Sequence, residues 1–302
     1  MSDYKAPAAE MKELCPGVYA YIQPNGWFQN NVGLIVGEKE AIVVDSLTNK
    51  SMVENFISKI KTITKKPVRF LINTHMHGDH IYTNHYFPDA TVISSSRCRE
   101  VTKKTDPHEI ELMKTFFPQM SFEDARITPQ DMTFEKKMTI YQGEREIQMI
   151  DLGSGHSPSD VIVYLPKEKI VFCGDLLMTG SPQQTMGGSI SLLIQNLDYL
   201  ASLDVNMYVP GHGPVSKRNA IYTMREYLIV IREESRKCFD KGMTWDQAAE
   251  TIDIGKFKDW GNTELNYPNC ARAYSEFRGE ELACELPIME IVPKMVAKMS
   301  KK

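Results

Sequence analysis

Apolar positions between residues 17 and 46 come in short runs broken by turn residues: GVYAYIQ, then PNG, then WFQNNVGLIVG, then an EK turn and AIVVDS. Runs of this length and punctuation predict an antiparallel β-meander. The pattern changes over residues 49–63, where Met52, Val53, Phe56, Ile57 and Ile60 share one side of a helix. VRFLIN at 68–73 is then a short buried strand that runs straight into a histidine-rich loop. Strand, helix and strand in that order predict a sheet covered by helices.

The middle of the chain repeats the alternation. TVISS from Thr91 is strand-like, and Asp106 with Pro107 caps and opens a helix through Phe117. MTFEKKMTIYQ and EREIQMIDLG predict a hairpin ending at Gly153, and VIVYLP and IVFCGD are two further strands around a KEK turn. Residues 192–203 read as a helix, and VNMYVPGHG as a last strand with a glycine-framed loop. Beyond Val215 the pattern is helical, with Ile221, Met224, Leu228 and Ile231 on one face. Thr244 with Gln247 fits a capping box, and Gly279 a helix stop. The expected organisation is one structural unit, a main domain over 1–215 and a helical extension over 216–302 packed on it. That extension can serve dimerisation or form one wall of a substrate pocket. The tail VPKMVAKMSKK reads as a solvated helix end rather than a membrane-surface helix.

With 302 residues, 42% of them hydrophobic and 25% charged, a sizeable core is available without disulfides. The 35 basic and 39 acidic residues are spread along the chain without a long block of either sign, which argues against a nucleic-acid groove. No run reaches the roughly 18 apolar residues of a membrane span, and the first fourteen residues lack the apolar stretch of a signal peptide. The six cysteines form no C-x-x-C pair and are expected as free thiols in a reducing compartment, so cytoplasm is the expected location.

The chemistry concentrates in THMHGDH, which supplies His75, His77, Asp79 and His80 directly after a buried strand. Imidazole nitrogens and carboxylate oxygens suit zinc and its neighbours, and four of them within one short loop can face a single small volume. Gly78 is expected to let the loop turn sharply. Three more strand ends each carry one candidate ligand beside glycine: GSGHSPSD with His156, FCGDLL with Asp175, and VPGHGP with His212. Five of the seven histidines fall in these settings. A lone histidine at a strand end is more often a satisfied turn residue, but the ordered set is a poor coincidence. His85, among Tyr82, Tyr86 and Phe87, and His108, in a helix first turn, are expected to be structural or surface residues.

H-x-H-x-D-H, then G-H-S, G-D and G-H-G, over about residues 15–215, resembles the metallo-β-lactamase superfamily. The resemblance implies an α/β fold, the αβ/βα four-layer sandwich, with metals at one edge between the sheets. It assigns His75, His77 and His156 to one metal, Asp79, His80 and His212 to a second, and Asp175 to a bridge between them. Two divalent ions roughly 3.5 to 4 Å apart can share a water and lower its pKa towards roughly 7. The expected reaction is therefore attack by a bridging hydroxide on the carbonyl of a small ester, lactone, lactam or thioester, with zinc as the expected metal and iron or manganese as alternatives. Asp79 is the expected catalytic residue, orienting the nucleophile or passing its proton on. The other readings are a diiron or sulfur-oxidising oxidoreductase and a phosphodiesterase.

Asp175 departs from exported β-lactamases of the superfamily, which usually lack an aspartate at that position. Met178 stands near where lactonases of the superfamily carry a tyrosine, and LLMTGSPQQTMGGS does not look like the glyoxalase II-type sequence. Trp27 and Phe28 can form an apolar flap over the site. Gln183, Gln184 and Thr185 are read as exposed-loop groups that offer neutral hydrogen bonds without clustered arginines. The substrate-contacting set expected from sequence is thus Trp27, Phe28, Met178 and Gln183. The expected partner is a small molecule, with neither nucleic acid nor membrane, and a homodimer is compatible with the extension.

Overall fold

The apolar runs assemble into two sheets. The computed structural model describes residues 8–24 and 26–299; Asn25 of the PNG turn, the first seven residues and the last three residues of the tail lie outside the described residues. The first sheet holds β1 (Glu10–Cys15), β2 (Val18–Ile22), β3 (Val32–Val36), β4 (Ala41–Val44), β5 (Val68–Ile72), β6 (Thr91–Ser95) and β7 (Met132–Phe134), in that spatial order. Its first four strands are antiparallel and its last four parallel. The second sheet runs β12 (Met207–Val209), β11 (Ile170–Phe172), β10 (Val161–Leu165), β9 (Arg145–Asp151) and β8 (Lys137–Gln142).

The helices are α1 (Lys50–Ile63), α2 (Gly78–Ile81), α3 (Ser96–Lys104), α4 (Glu109–Phe116), α5 (Ile190–Ser202), α6 (Asn219–Asp240), α7 (Trp245–Thr251), α8 (Asn266–Phe277) and α9 (Ile288–Met299). Between the sheets, Ile35, Ile42 and Ile72 of the first meet Met149, Val163 and Phe172 of the second. Outside the first sheet, Leu34, Val43 and Leu71 pack under Val53 and Phe56 of α1. Outside the second, Ile162 and Val171 pack under Leu193 and Leu197 of α5 and Met224 and Leu228 of α6. The result is the αβ/βα sandwich, with both sheets buried on both faces, which explains the continuous apolar runs.

Several elements differ from the sequence reading. β1 was not expected, because Glu10, Lys12 and Glu13 interrupt its apolar alternation on an edge strand. α3 went unread for a similar reason, since only Cys98 and Thr102 of its nine residues are buried. MTFEKKMTIYQ is not one strand: its first three residues pair with β6 in the first sheet, and the chain crosses at Glu135 and Lys136 before the β8–β9 hairpin. WFQNNVGLIVG becomes strand only at Val32. Ahead of it Asn31 is pulled out of the ladder: its side-chain amide donates to the carbonyls of Pro210 (2.9 Å) and Gly213 (2.7 Å). The helix ends follow the expected chemistry, with a capping box at Thr244 and Gln247 and Gly279 just past α8 at φ +71°. The tail is a correction: α9 packs Ile291 and Met295 against α7 and α8, buries Val292 as well, and is not a solvated end.

Candidate metal centre

Four strand ends bring the seven residues to one edge of the sandwich. The ladder of β5 stops at Ile72, and the next residues turn through His75 into α2, which carries Asp79 and His80. His156 sits in the loop after β9, Asp175 on a single 3₁₀ turn (Gly174–Leu176) after β11, and His212 after β12. Gly78 is required by packing rather than by its backbone angle, because a Cβ there would stand 2.0 Å from the Tyr82 ring. A Cβ on Gly211 would stand 1.8 Å from Asp175 Oδ1, so that glycine leaves the carboxylate its place.

The ligand-type atoms fall into two clusters, His75, His77, His156 and Asp175 in one, and Asp79, His80 and His212 in the other, each with its atoms within 4.8 Å of one another. In the first cluster His77 Nδ1 lies 3.1 Å from His75 Nε2 and 2.8 Å from His156 Nε2. In the second, His212 Nε2 is 3.2 Å from Asp79 Oδ2. Asp175 faces both: its Oδ1 is 3.2 Å from His80 Nε2, and its Oδ2 is 3.3 Å from His156 Nε2 and 3.4 Å from His212 Nε2.

Hydrogen bonds on the far side of the rings fix the tautomers. Thr74 donates its hydroxyl proton to Asp45 Oδ2 (2.7 Å), so it accepts from His75 Nδ1 (3.1 Å). His156 Nδ1 donates to the Gln184 carbonyl (2.9 Å), and His80 Nδ1 to Asp45 Oδ2 (2.9 Å). Each neutral ring therefore points an Nε2 lone pair inward. His77 Nδ1 can offer one proton to only one of the two lone pairs it faces. His80 Nε2 and Asp175 Oδ1, both buried and 3.2 Å apart, make no well-aligned hydrogen bond to each other or to any other described residue. Orphaned acceptors converging on one small volume are what a cation satisfies, and the donor set fits divalent ions of the zinc type.

Charge gives the same answer. Asp45, Asp79 and Asp175 are all under a tenth exposed, and among the described residues no lysine or arginine pairs with them. Burial pulls His80 and His212 down, but the surrounding carboxylates outweigh it: Asp175, Asp45 and Asp79 hold His80 well above the ordinary histidine range, and Asp175 with Asp79 raises His212 to about 9. Burial works against ionisation of Asp175 too, yet His212, His80 and His156 keep it well below the usual carboxylate range. At His77 burial and the neighbouring His156 outweigh the pull of Asp79 and Asp175 and lower the ring to about 3. Protons thus gather where the carboxylates demand positive charge. Beneath His156, burial pushes Asp160 up to about 7; it accepts from His156 N (2.8 Å) and from Ser157 Oγ (2.7 Å).

The sequence reading missed Asp45. It ends the apolar run AIVVDS, and a charged residue closing a continuous apolar strand, here at φ +62°, was the available signal. It also missed the brace from the extension. Asn269 Nδ2 donates to the Gln183 carbonyl (2.7 Å) and Arg272 to the Thr185 and Met186 carbonyls (3.2 and 2.8 Å), holding the loop whose Gln184 carbonyl orients His156.

Gln183 is a correction. It is fully buried behind the site, donating Nε2 to the Asp175 carbonyl (2.6 Å), and it does not line the cavity. Thr185 is buried as well, bonded to Asn269 Oδ1, and Gln184 is half-buried, so the 183–185 loop is not exposed. Trp27, Phe28 and Met178 do line the cavity over the site. His85 bonds Asp124 (3.3 Å), away from the two clusters, and His108 stands on the cavity wall ahead of α4. All six cysteines are free.

Comparison with known proteins follows the same residues. The profile of the metallo-beta-lactamase superfamily matches residues 25–212. A linear primary-alkylsulfatase of a Pseudomonas strain is 22% identical over 73% of this chain and 49% of its own length. A type 2 metallo-beta-lactamase of Elizabethkingia meningoseptica is 26% identical over 58% of this chain and 65% of its own. Among solved structures, the stereoselective inverting sec-alkylsulfatase of a Pseudomonas species superposes with a TM-score of 0.70 at 14% identity, covering 90% of this chain and 50% of that one. The chain therefore spans about half the length of the alkylsulfatases it matches.

Proposed function

Because the chain belongs to the metallo-β-lactamase superfamily, we propose that it is a hydrolase that holds two divalent metal ions, zinc in the first instance. His75, His77 and His156 would hold one, Asp79, His80 and His212 the other, and Asp175 would face both. The observation that carries this is the pair of adjoining clusters with His80 Nε2 and Asp175 Oδ1 orphaned at their junction. Bound there, the ions supply Lewis acidity, polarising a substrate oxygen and lowering the pKa of water towards roughly 7.

The chain's own residues supply orientation and proton handling. Asp45, Thr74 and the Gln184 carbonyl keep the ring lone pairs aimed inward. Asp79 lines the cavity, and its nearby histidines hold its carboxyl below the usual range against the pull of burial, so it is ionised and able to orient a water or take its proton. The proposed bond is a carboxylic ester, lactone, lactam or thioester in a small-molecule substrate. Cationic lining is confined to Arg97 and Lys104 among the described residues, which favours an uncharged substrate over a polyanion. The extension is proposed to be part of the same unit as the main domain, walling the cavity. Free cysteines fit a cytoplasmic location, and among the described residues no helix is long and apolar enough to cross a membrane.

The test is metal analysis of protein purified without added metal, followed by a panel of carboxylic esters, lactones, thioesters, β-lactams, phosphodiesters and, because two relatives are named alkylsulfatases, sulfate esters. Two equivalents of divalent metal and chelator-sensitive turnover are expected, with both lost in His77→Ala. Full turnover by metal-free protein overturns the reading. Two equivalents of iron with a visible absorption band and no hydrolysis would favour redox chemistry instead.

A further inference from the structure

The cavity over the metal centre has a volume of about 1240 Å³. Pockets for drug-sized ligands run to roughly 300–1,000 Å³, so the space exceeds what a small lactone or lactam fills. Apolar side chains make up about half of its lining residues, and methionine is the most frequent of them. Met76, Met113, Met178, Met186, Met289 and Met295 all face it, from four segments of the chain: the loop after β5, α4, the segment before α5, and α9. Methionine is unbranched and flexible, and a wall built from it reshapes around apolar ligands of varying length.

Part of that wall lies outside the residues matched by the family profile. Leu286, Ile288, Met289 and Val292 come from α9 and the turn before it, and α9 lies against α4, which adds Leu112 and Met113. α4 buries none of its residues; of its four apolar ones Leu112 and Met113 line the cavity, while Ile110 and Phe116 pack beside Phe117 and Phe122. Met289 is 65% exposed and Ile288 42%. Apolar side chains left open at the rim of a pocket, rather than scattered on the surface, mark a site that buries apolar ligand surface. His77, Asp79, His156, Asp175 and His212 close the other side of the same cavity.

We propose that this pocket takes a straight alkyl chain and that the substrate is an ester or thioester of a medium- to long-chain fatty acid, its acyl carbon at the metal centre. The head-group half of this rests on the hydrolase reading above; the chain half does not. In the reaction the acyl carbon gains a bond to the oxygen of water and loses its bond to the leaving oxygen or sulfur. That leaving atom departs with one of the water's protons, and nothing is oxidised or reduced.

Two series on the metal-loaded protein test it. Dissociation constants for straight-chain alkanoates from C4 to C12, read from tryptophan fluorescence and calorimetry, should fall about three- to fourfold per added methylene. The kcat/KM for 4-nitrophenyl esters from C2 to C12 should rise by a similar factor per carbon. Met289→Asp and, on the neighbouring α4, Leu112→Asp replace side chains that are not in the core, and each should cut the C10-to-C2 ratio about tenfold or more. Affinity and rate both flat with chain length, ratios unmoved in both variants, or preference for a cyclohexanecarboxylate over a heptanoate ester would each overturn the chain pocket. A steep alkanoate series with no chelator-sensitive turnover of any ester would instead overturn the hydrolase reading and leave the pocket standing.

Discussion

Asp45 shows how much one side chain can organise. It accepts from Thr74 N, Thr74 Oγ1 and His80 Nδ1 at 2.7 to 2.9 Å, and it does so from a left-handed backbone at φ +62°. A non-glycine residue in that region costs roughly 1–3 kcal/mol, and such strain persists where the surroundings over-determine it. The return is the fixed orientation of His80 and, through Thr74, of His75. Asp45→Asn keeps the shape but loses the anion, and metal affinity should fall about 10–100-fold, measured by competition with a chromophoric chelator; unchanged affinity would show that the strain serves packing alone. Gly211→Ala tests the same centre by volume. The added methyl meets Asp175 Oδ1, so the protein should bind less than its full metal complement by elemental analysis while its circular dichroism stays native.

At the level of helices and loops, what could be read from sequence follows from how locally each feature is encoded. α1 is written in its own residues: Asn49 accepts from Met52 N, and Met52, Val53, Phe56 and Ile60 form its buried side. The seven candidate ligands were legible because they cluster just after four apolar strands, beside polar or glycine residues. Gln183 was misplaced because its partners, the Asp175 carbonyl and Asn269, lie 8 and 86 residues away. Arg272 went unread for the same reason. It is fully buried, and its guanidinium is satisfied by carbonyls of Thr185, Met186 and Cys284. Arg272→Ala strands those three acceptors and should cost about 3 kcal/mol or more in denaturant unfolding. Because the same loop orients His156, metal affinity should fall with it. A destabilised variant with native metal affinity would confine α8 to a structural role.

Across the whole molecule, two sheets buried on both faces supply stability, and the edge where their strands end is left to hold charge. Three carboxylates are sunk there without lysine or arginine partners among the described residues, so folding carries a desolvation cost that either protons or cations must offset. Without metal, protons do it: the raised His212, at about 9, favours the folded state fully below its unfolded value near 6.5 and ceases to do so as pH climbs through about 9. Metal needs no proton at these positions and binds better as they are vacated. Chelated protein should therefore lose thermal stability between about pH 6.5 and 9. Restoring divalent metal at roughly a thousand times its dissociation constant should return about 4 kcal/mol, or some ~5–10 °C of Tm. The gap between loaded and stripped protein should widen with pH over that interval in calorimetric scans, and in His212→Ala it should lose most of its pH dependence. Equal melting temperatures with and without metal at pH 8.5 would mean that the buried carboxylates find their counter-charge elsewhere.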